Sequence, residues 1–400
     1  MAYRYSDAEL AFADEARQFI RQNLDPAVKR KILSNMLPTR KERETWQKTL
    51  AAKGWGAPSW PVEFGGTGWT VVQRHLFDEV LTEEGAPGFP VFGMTMLAPV
   101  LMRFGTDERK QQILPRILNM DDFWCQGFSE PEAGSDLASL KARARLDGDE
   151  WVINGQKIWT TLAHEADHIF LLVRTSDAPK KQLGLSILLL RMDTPGITVK
   201  PIITIDGHHE VNEVFFDDVR IPASSMIGEE GKGWTYAKYL LGHERTSIAR
   251  IGQSRRELKR IMATAAQVPW KDRTLAQADH FRRRHAEIDI RHRVLEATTL
   301  RLLQKIASGA GANTGAEANL LKICGSEIQL DLAELWMDVV GRYSFAYAQA
   351  DVPAGAHLAE VAPWEADYVA GAYFNSRKVA IYGGSNEIQR NIIAKAQLGL

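Results

Sequence analysis

Two stretches decide how this chain is read: Ser129-Glu130-Pro131-Glu132-Ala133-Gly134-Ser135-Asp136 and, a short way on, Asn154-Gly155-Gln156-Lys157-Ile158-Trp159-Thr160-Thr161. The first crowds small residues, hydroxyls and a proline into one loop. Such a loop exposes backbone N–H groups and short oxygen side chains to an anion or to the polar edge of a ring. The second reads as a tight Asn-Gly turn feeding a strand that ends in an aromatic beside two hydroxyls. A flat ligand with a polar rim suits the pair.

Working outward, residues 123 to about 228 carry short β-rich runs with turn signals between them. They include Lys141 to Leu146, the Asp147-Gly148-Asp149 turn, Trp151-Val152-Ile153, Ile169 to Val173, Ile187 to Leu190, Ile197 to Ile203 and Val211 to Phe216. Strands spaced by about ten residues predict an antiparallel barrel or sandwich. Residues 1–122 read as helical. Ser6 and Glu9 form a capping box before Phe12, Ala16, Phe19 and Ile20, and Leu76, Phe77, Val80 and Leu81 recur at helical intervals. A Pro/Gly-rich break from Ala57 to Gly68 interrupts that pattern. Helical periodicity returns at Gly233 and runs to the C-terminus, as in a helical bundle. The fold class is therefore α+β, divided as 1–122, 123–232 and 233–400.

Bulk properties narrow the function classes. Apolar residues make up 45% and charged residues 25% of the 400, an ordinary soluble balance. A net charge of −1 offers no field for nucleic acid or an anionic membrane. No apolar run approaches the roughly 20 residues of a membrane span. Cys125 and Cys324 are the two cysteines, which fits a reducing cytoplasm and gives neither a disulfide framework nor a zinc site.

Some motifs mislead. His164-Glu165-Ala166-Asp167-His168 spells the zinc-protease pattern, but that chemistry needs both imidazoles on one helical face. Here the run lies between two strands, and solvated loop histidines are the expectation. Gly65-Gly66-Thr67-Gly68 reads as a turn, and Gly228 to Gly233 lacks the full phosphate-loop spacing. Arg282-Arg283-Arg284-His285 is a solvated helix face or a phosphate contact.

Three separated segments carry a resemblance: Gln126 to Asp136, Ile153 to Thr161, and Ile381-Tyr382-Gly383-Gly384-Ser385-Asn386-Glu387-Ile388-Gln389-Arg390. In that order they resemble the acyl-CoA dehydrogenase family along essentially the whole chain. With Trp124-Cys125 and Gly242-His243-Glu244-Arg245-Thr246, the chain looks most like the large subunit of pimeloyl-CoA dehydrogenase and its bacterial relatives. The resemblance implies an N-terminal helical domain, a central antiparallel β-barrel and a C-terminal four-helix bundle. It also implies FAD, an acyl-CoA substrate and electron-transfer flavoprotein as acceptor. The implied reaction is α,β-desaturation: a carboxylate takes the α-proton, a hydride leaves the β-carbon, and donors stabilise enolate-like charge on the thioester oxygen.

Many relatives carry the base directly after Ile-Tyr, where this chain has Gly383. Another branch places it on a helix before an arginine, which matches Glu244 and Arg245. The resemblance therefore implies Glu244 as base and the Gly383 N–H as oxyanion donor. The alternatives are Glu244 as an ordinary helix charge and Glu387 as the base. By position, Gln126, Phe128, Ser129, Trp159, Thr160, Thr161, Asp338, Gly341, Ser385 and Glu387 match cofactor contacts. Ser135, Arg245 and Gly384 match substrate contacts, and no metal is implied. Trp159 as a core aromatic and Thr161 as a plain strand residue are the competing readings. Arg342 stands where relatives have a second glycine. The segment Trp270-Lys271-Asp272-Arg273-Thr274-Leu275 keeps an arginine but lacks the Phe-Gly that relatives donate across subunits. That departure suggests a heteromer with a related subunit; a homo-oligomer using Arg273 or Arg282 to Arg284 is the alternative. A flavin oxidase or monooxygenase on the same scaffold, or a non-catalytic partner subunit, are the competing functions.

Overall fold

A computed structural model describes residues 5–243, 249–308, 315–345 and 366–399. Among the described residues, six α-helices come first: α1 (Asp7–Asn23), α2 (Pro26–Leu33), α3 (Arg40–Ala52), α4 (Val71–Glu83), α5 (Ala98–Phe104) and α6 (Asp107–Leu118). The predicted capping box starts α1: the Ser6 hydroxyl accepts from Glu9 N, and the Glu9 carboxylate accepts from Ser6 N. Ala16 and Ile20 are buried, while Phe12 and Phe19 meet Trp69 and Trp55 edge-on. The Pro/Gly break is pinned by Trp60, whose Nε1 donates to Met94 O at 2.9 Å within the π-helical turn Val91–Leu97.

Seven strands follow as one sheet: β1 (Trp124–Gly127), β2 (Arg143–Asp147), β3 (Glu150–Thr161), β4 (His168–Arg174), β5 (Leu185–Arg191), β6 (Ile197–Ile203) and β7 (His209–Pro222). The sheet is mixed rather than antiparallel throughout. β1 pairs parallel with β4, and β2 touches the same strand in parallel at Arg143 and Arg174. The reason is connectivity: the β2–β3 hairpin separates β1 from β4, leaving enough chain for a parallel return. β1 and β2 thus lie end to end along β4, and residues 128–142 must leave the sheet between them.

The Asn154-Gly155 turn is also corrected. Both residues lie inside the 12-residue strand β3, where the register with β7 shifts between Ile153 and Gly155. Gly155 has φ 144°, and a Cβ there would sit 2.6 Å from Ala142 Cβ. Glycine is required by both backbone and neighbour, so the signal was a bulge and not a reversal.

The last third comprises α7 (Gly233–His243), α8 (Ile251–Ala265), α9 (Asp279–Ala307), α10 (Gly315–Val340), α11 (Ala366–Ser376) and α12 (Asn386–Leu398). α10 packs against α8, α9, α11 and α12 through buried Leu321, Ile328, Leu332 and Leu335. A small exposed hairpin, β8 (Pro269–Trp270) with β9 (Arg273–Thr274), precedes α9. Several polar contacts seat these helices on the rest. Arg255 on α8 pairs with Glu79 on α4 at 3.1 Å. Asn375 and Lys378 reach Asp206 and Glu210 at the β6–β7 end of the sheet. No helix among the described residues is long and apolar enough to cross a membrane.

Candidate active site

The loop that leaves the sheet after β1 is held by a buried ion pair. Lys157 on β3 is fully buried, and its Nζ donates to Glu130 Oε1 at 2.8 Å and to Phe128 O at 3.1 Å. Glu130 also accepts from Lys141 N at 2.6 Å and Ala142 N at 2.9 Å. Its carboxylate is therefore surrounded by donors, which is what makes a buried charge tolerable. Burial pushes the Lys157 pKa down to about 8 against the opposing pull of Glu130. Pro131 and Glu132 form a tight turn closed by reciprocal bonds between Glu130 and Ala133. Ser135 lies just beyond it, exposed.

The two decisive stretches are brought together by one bond: Ile158 N donates to Ser129 O at 2.9 Å. A second register shift in β3, between Lys157 and Thr160, turns the next residue outward. Trp159 has φ 60° and is 57% exposed. It is not a core aromatic, and a left-handed tryptophan in a strand is costly without a purpose. Thr160 is buried and its Oγ1 has no hydrogen-bond partner among the described residues. Thr161 and Ser129 are half-buried, as is Gln126 on β1. The Phe128 side chain is buried edge-on to Phe170 in the core, which leaves its backbone for any contact with a ligand.

The glycine turn follows a segment that docks on β7. Lys378 pairs with Glu210, whose carbonyl accepts from Leu162 N at 2.8 Å, next to Thr161. The chain then reaches Gly383 (φ 64°) and Gly384 (φ 80°). Gln389 Nε2 donates to both carbonyls, at 3.1 and 3.2 Å, and a Cβ on Gly384 would displace that amide. Ser385 caps α12 by accepting from Ile388 N, and Glu387 sits exposed in the first turn. Glu387 is held below the usual carboxylate range by its own backbone N–H and by Ser385, as expected at a helix start. Buried Lys322 on α10 fixes the same helix end, donating to Asn386 Oδ1 at 2.9 Å.

Other candidates are placed differently. Asp338 is tied to Arg284 at 2.5 Å, and Arg284 also binds Glu334 at 2.8 Å. That arginine is therefore not a free phosphate contact, although Arg282 and Arg283 are exposed. Gly341 (φ 55°) follows α10, with open space around it. Glu244 and Arg245 lie outside the described residues. In the zinc-like run, His168 is not solvated: it starts β4 and stacks on Trp124 at 4.6 Å. No group able to hold a metal occurs among the described residues. Sequence reasoning assigned no role to Lys157, Glu130 or Asn212; the available signal was a lysine at an inward-facing position of an apolar strand.

Models of the N-terminal, middle and C-terminal domains of acyl-CoA dehydrogenases match residues 6–121, 125–219 and 231–398. The chain belongs to the acyl-CoA dehydrogenase family. It is 40% identical over 368 residues to acyl-CoA dehydrogenase IpdE1 of Mycobacterium tuberculosis, covering 90% of this chain and 88% of that one. Acyl-CoA dehydrogenase FadE26 of the same organism is 30% identical, over 100% of this chain and 99% of the relative. Among solved structures, the Tcur3481-Tcur3483 steroid ACAD matches with TM-score 0.86 at 29% identity, covering 100% and 99%. The ChsE4-ChsE5 complex from Mycobacterium tuberculosis matches with TM-score 0.83 at 30% identity and the same coverage. As an acyl-CoA dehydrogenase, this protein is an enzyme acting on acyl-CoA.

The arrangement suits a flavin. An exposed indole and a neighbouring loop with a half-buried serine can meet a ring that is flat on its face and polar on its rim.

Proposed function

We propose that this acyl-CoA dehydrogenase desaturates its thioester between the α- and β-carbons, with FAD held between Ser129, Trp159, Thr161 and the Gly383–Ser385 turn. The observation that carries this reading is the Ile158–Ser129 bond, which sets the exposed Trp159 beside the loop. Bound FAD supplies the acceptor for the β-hydride.

The chain's own residues do the rest. Glu244 takes the α-proton, its carboxylate made more basic as the acyl chain excludes water. The Gly383 N–H donates to the thioester oxygen, where charge gathers; a backbone donor survives the loss of a side chain at that position. Gln389 holds both glycine carbonyls, which limits how far that N–H can swing. Arg245, Ser135 and Gly384 contact the acyl-CoA.

The β8–β9 hairpin keeps Arg273 exposed and lacks the Phe-Gly of its relatives. Together with the similarity to the Tcur3481-Tcur3483 steroid ACAD and the ChsE4-ChsE5 complex, each a pair of chains, it supports a heteromer with a related chain over a homo-oligomer. Steroid-type thioesters join fatty acyl-CoA as substrate candidates on the same ground. Electron-transfer flavoprotein is the proposed acceptor and the cytoplasm the proposed compartment.

An anaerobic screen of acyl-CoA thioesters, read by bleaching of the flavin band, tests this. Bleaching followed by slow reoxidation in air supports the dehydrogenase, and rapid peroxide release supports an oxidase. A protein that retains no flavin, alone or with a related partner subunit, defeats both.

A further inference from the structure

Asn212 is fully buried on β7, opposite Thr160, at the strand bulge that turns Trp159 outward. Its Nδ2 donates to Thr160 O at 3.0 Å. A carbonyl accepts only from a donor, so this bond fixes which way the amide points. The same Nδ2 lies 3.1 Å from His164 Nδ1, and Asn212 Oδ1 lies 2.7 Å from His209 Nε2. Both tautomers follow. His164 must present a bare Nδ1 lone pair to the amide, and His209 must carry its proton on Nε2. The two rings stack with centroids 3.9 Å apart and planes 26° apart.

We propose that Asn212, held by a neutral His164 and by His209, is the positioning residue for the Trp159–Thr161 segment, and that protonation of His164 releases it. A proton on His164 Nδ1 would point at an amide N–H that has no other orientation compatible with Thr160 O. It would also place a cation face to face with the His209 ring. The groups facing His164 are His209 and Asn212 on β7, with Glu165 and Arg43 of α3 beside it. Glu165 favours the cation but is already paired with Arg43, and its carbonyl accepts from Arg40. Asp193, which lines the same surface depression as His164, His209 and Asn212, is paired with Arg191. His164 and His209 are exposed residues, and partial burial, then His209, hold the His164 pKa below the ordinary histidine value against the raising pull of Glu165.

The consequence for FAD rests on the proposed role of Trp159; the coupling of Asn212 to Trp159 does not. Two readouts separate them. In the full-length chain before FAD is added, the fluorescence difference between wild type and Trp159→Phe isolates Trp159. It should change with a midpoint below about pH 6.5. His164→Phe, which keeps a stacking ring but has no acceptor, should abolish the transition. Asn212→Leu should lock the low-pH signal at every pH. With FAD, Asn212→Leu should weaken binding about tenfold or more, and wild-type affinity should fall on acidification while that of His164→Phe stays flat. A pH-independent Trp159 signal in wild type, or an unaltered transition in His164→Phe, overturns the proposal. If wild type binds no FAD at any pH while the fluorescence transition behaves as described, the proposed function fails and the positioning unit stands.

Discussion

Lys157 Nζ and Glu130 Oε1 meet at 2.8 Å inside the protein, with the lysine fully buried and the glutamate 7% exposed. Lys157 is on β3, and Glu130 opens the loop that leaves the sheet after β1. The pair therefore couples the sheet to that loop instead of adding to a surface network. Its other bonds, to Phe128 O, Lys141 N and Ala142 N, fix the backbone on both sides of Ser129–Leu140.

Breaking this pair from one side should be worse than removing it whole. Lys157→Met leaves a buried carboxylate, and Glu130→Gln leaves a buried ammonium; each should cost about 3–5 kcal/mol. The double variant should recover part of that loss. Urea unfolding measures the stability, and the flavin-to-protein absorbance ratio should fall in each single variant.

Gly155→Ala should destabilise the protein by about 2 kcal/mol or more, through a backbone at φ 144° and contact with Ala142. Combining it with Ala142→Gly should relieve the contact but not the backbone strain, so only part of the loss returns. Gly148→Ala, in the preceding turn with open space around it, should cost less. Thermal melts of the three variants check the order.

Trp159→Ala should leave stability within about 0.5 kcal/mol of wild type, because the side chain is 57% exposed and buries little. FAD affinity should nevertheless drop by an order of magnitude or more if the indole covers the ring. Isothermal titration with FAD, alongside a urea curve, separates the two effects.

Glu244→Gln should lower turnover at least about a thousandfold, as expected for loss of a general base, while the protein stays yellow. Exchange of the substrate α-proton with deuterated solvent should stop. Unchanged exchange would return the base to Glu387 or to another carboxylate.

Asp78 on α4 gives a pH dependence of stability. Burial, reinforced by Glu79 and opposed by His75 and Arg250, raises its pKa to about 6. The folded state then holds a proton that the unfolded chain releases near pH 4. Its contribution is complete below the unfolded pKa and is lost as pH rises through about 6. Asp78→Asn should therefore gain on wild type between pH 5 and 7, by an amount on the order of 2 kcal/mol. Denaturant midpoints across that range measure the gap.

Local patterning reached far in this chain. The Ser6–Glu9 capping box, the helical spacing at Leu76 to Leu81 and the β-rich runs of the middle third depend on neighbours a few residues away, and each appears where expected. The three motif segments sufficed for the family. Asn154-Gly155 misled because a glycine between two strand runs has the same local signature whether the chain reverses or bulges. The partner strand β7 and the side chain of Ala142 decide between those outcomes.

What the sequence by itself determined was the α-β-α order, the family and the residue types available for flavin and thioester chemistry. Tertiary structure decided which of them are exposed and which are buried or already paired. Phe128 turned into the core, Trp159 turned out of it, and Asp338 was taken by Arg284. It also disclosed the Lys157–Glu130 pair and the Asn212 amide, which join residues 27 and 52 positions apart to their partners. Buried polar groups must find donors and acceptors wherever the fold brings them, and that pairing is set by register across strands, which no short stretch of sequence encodes.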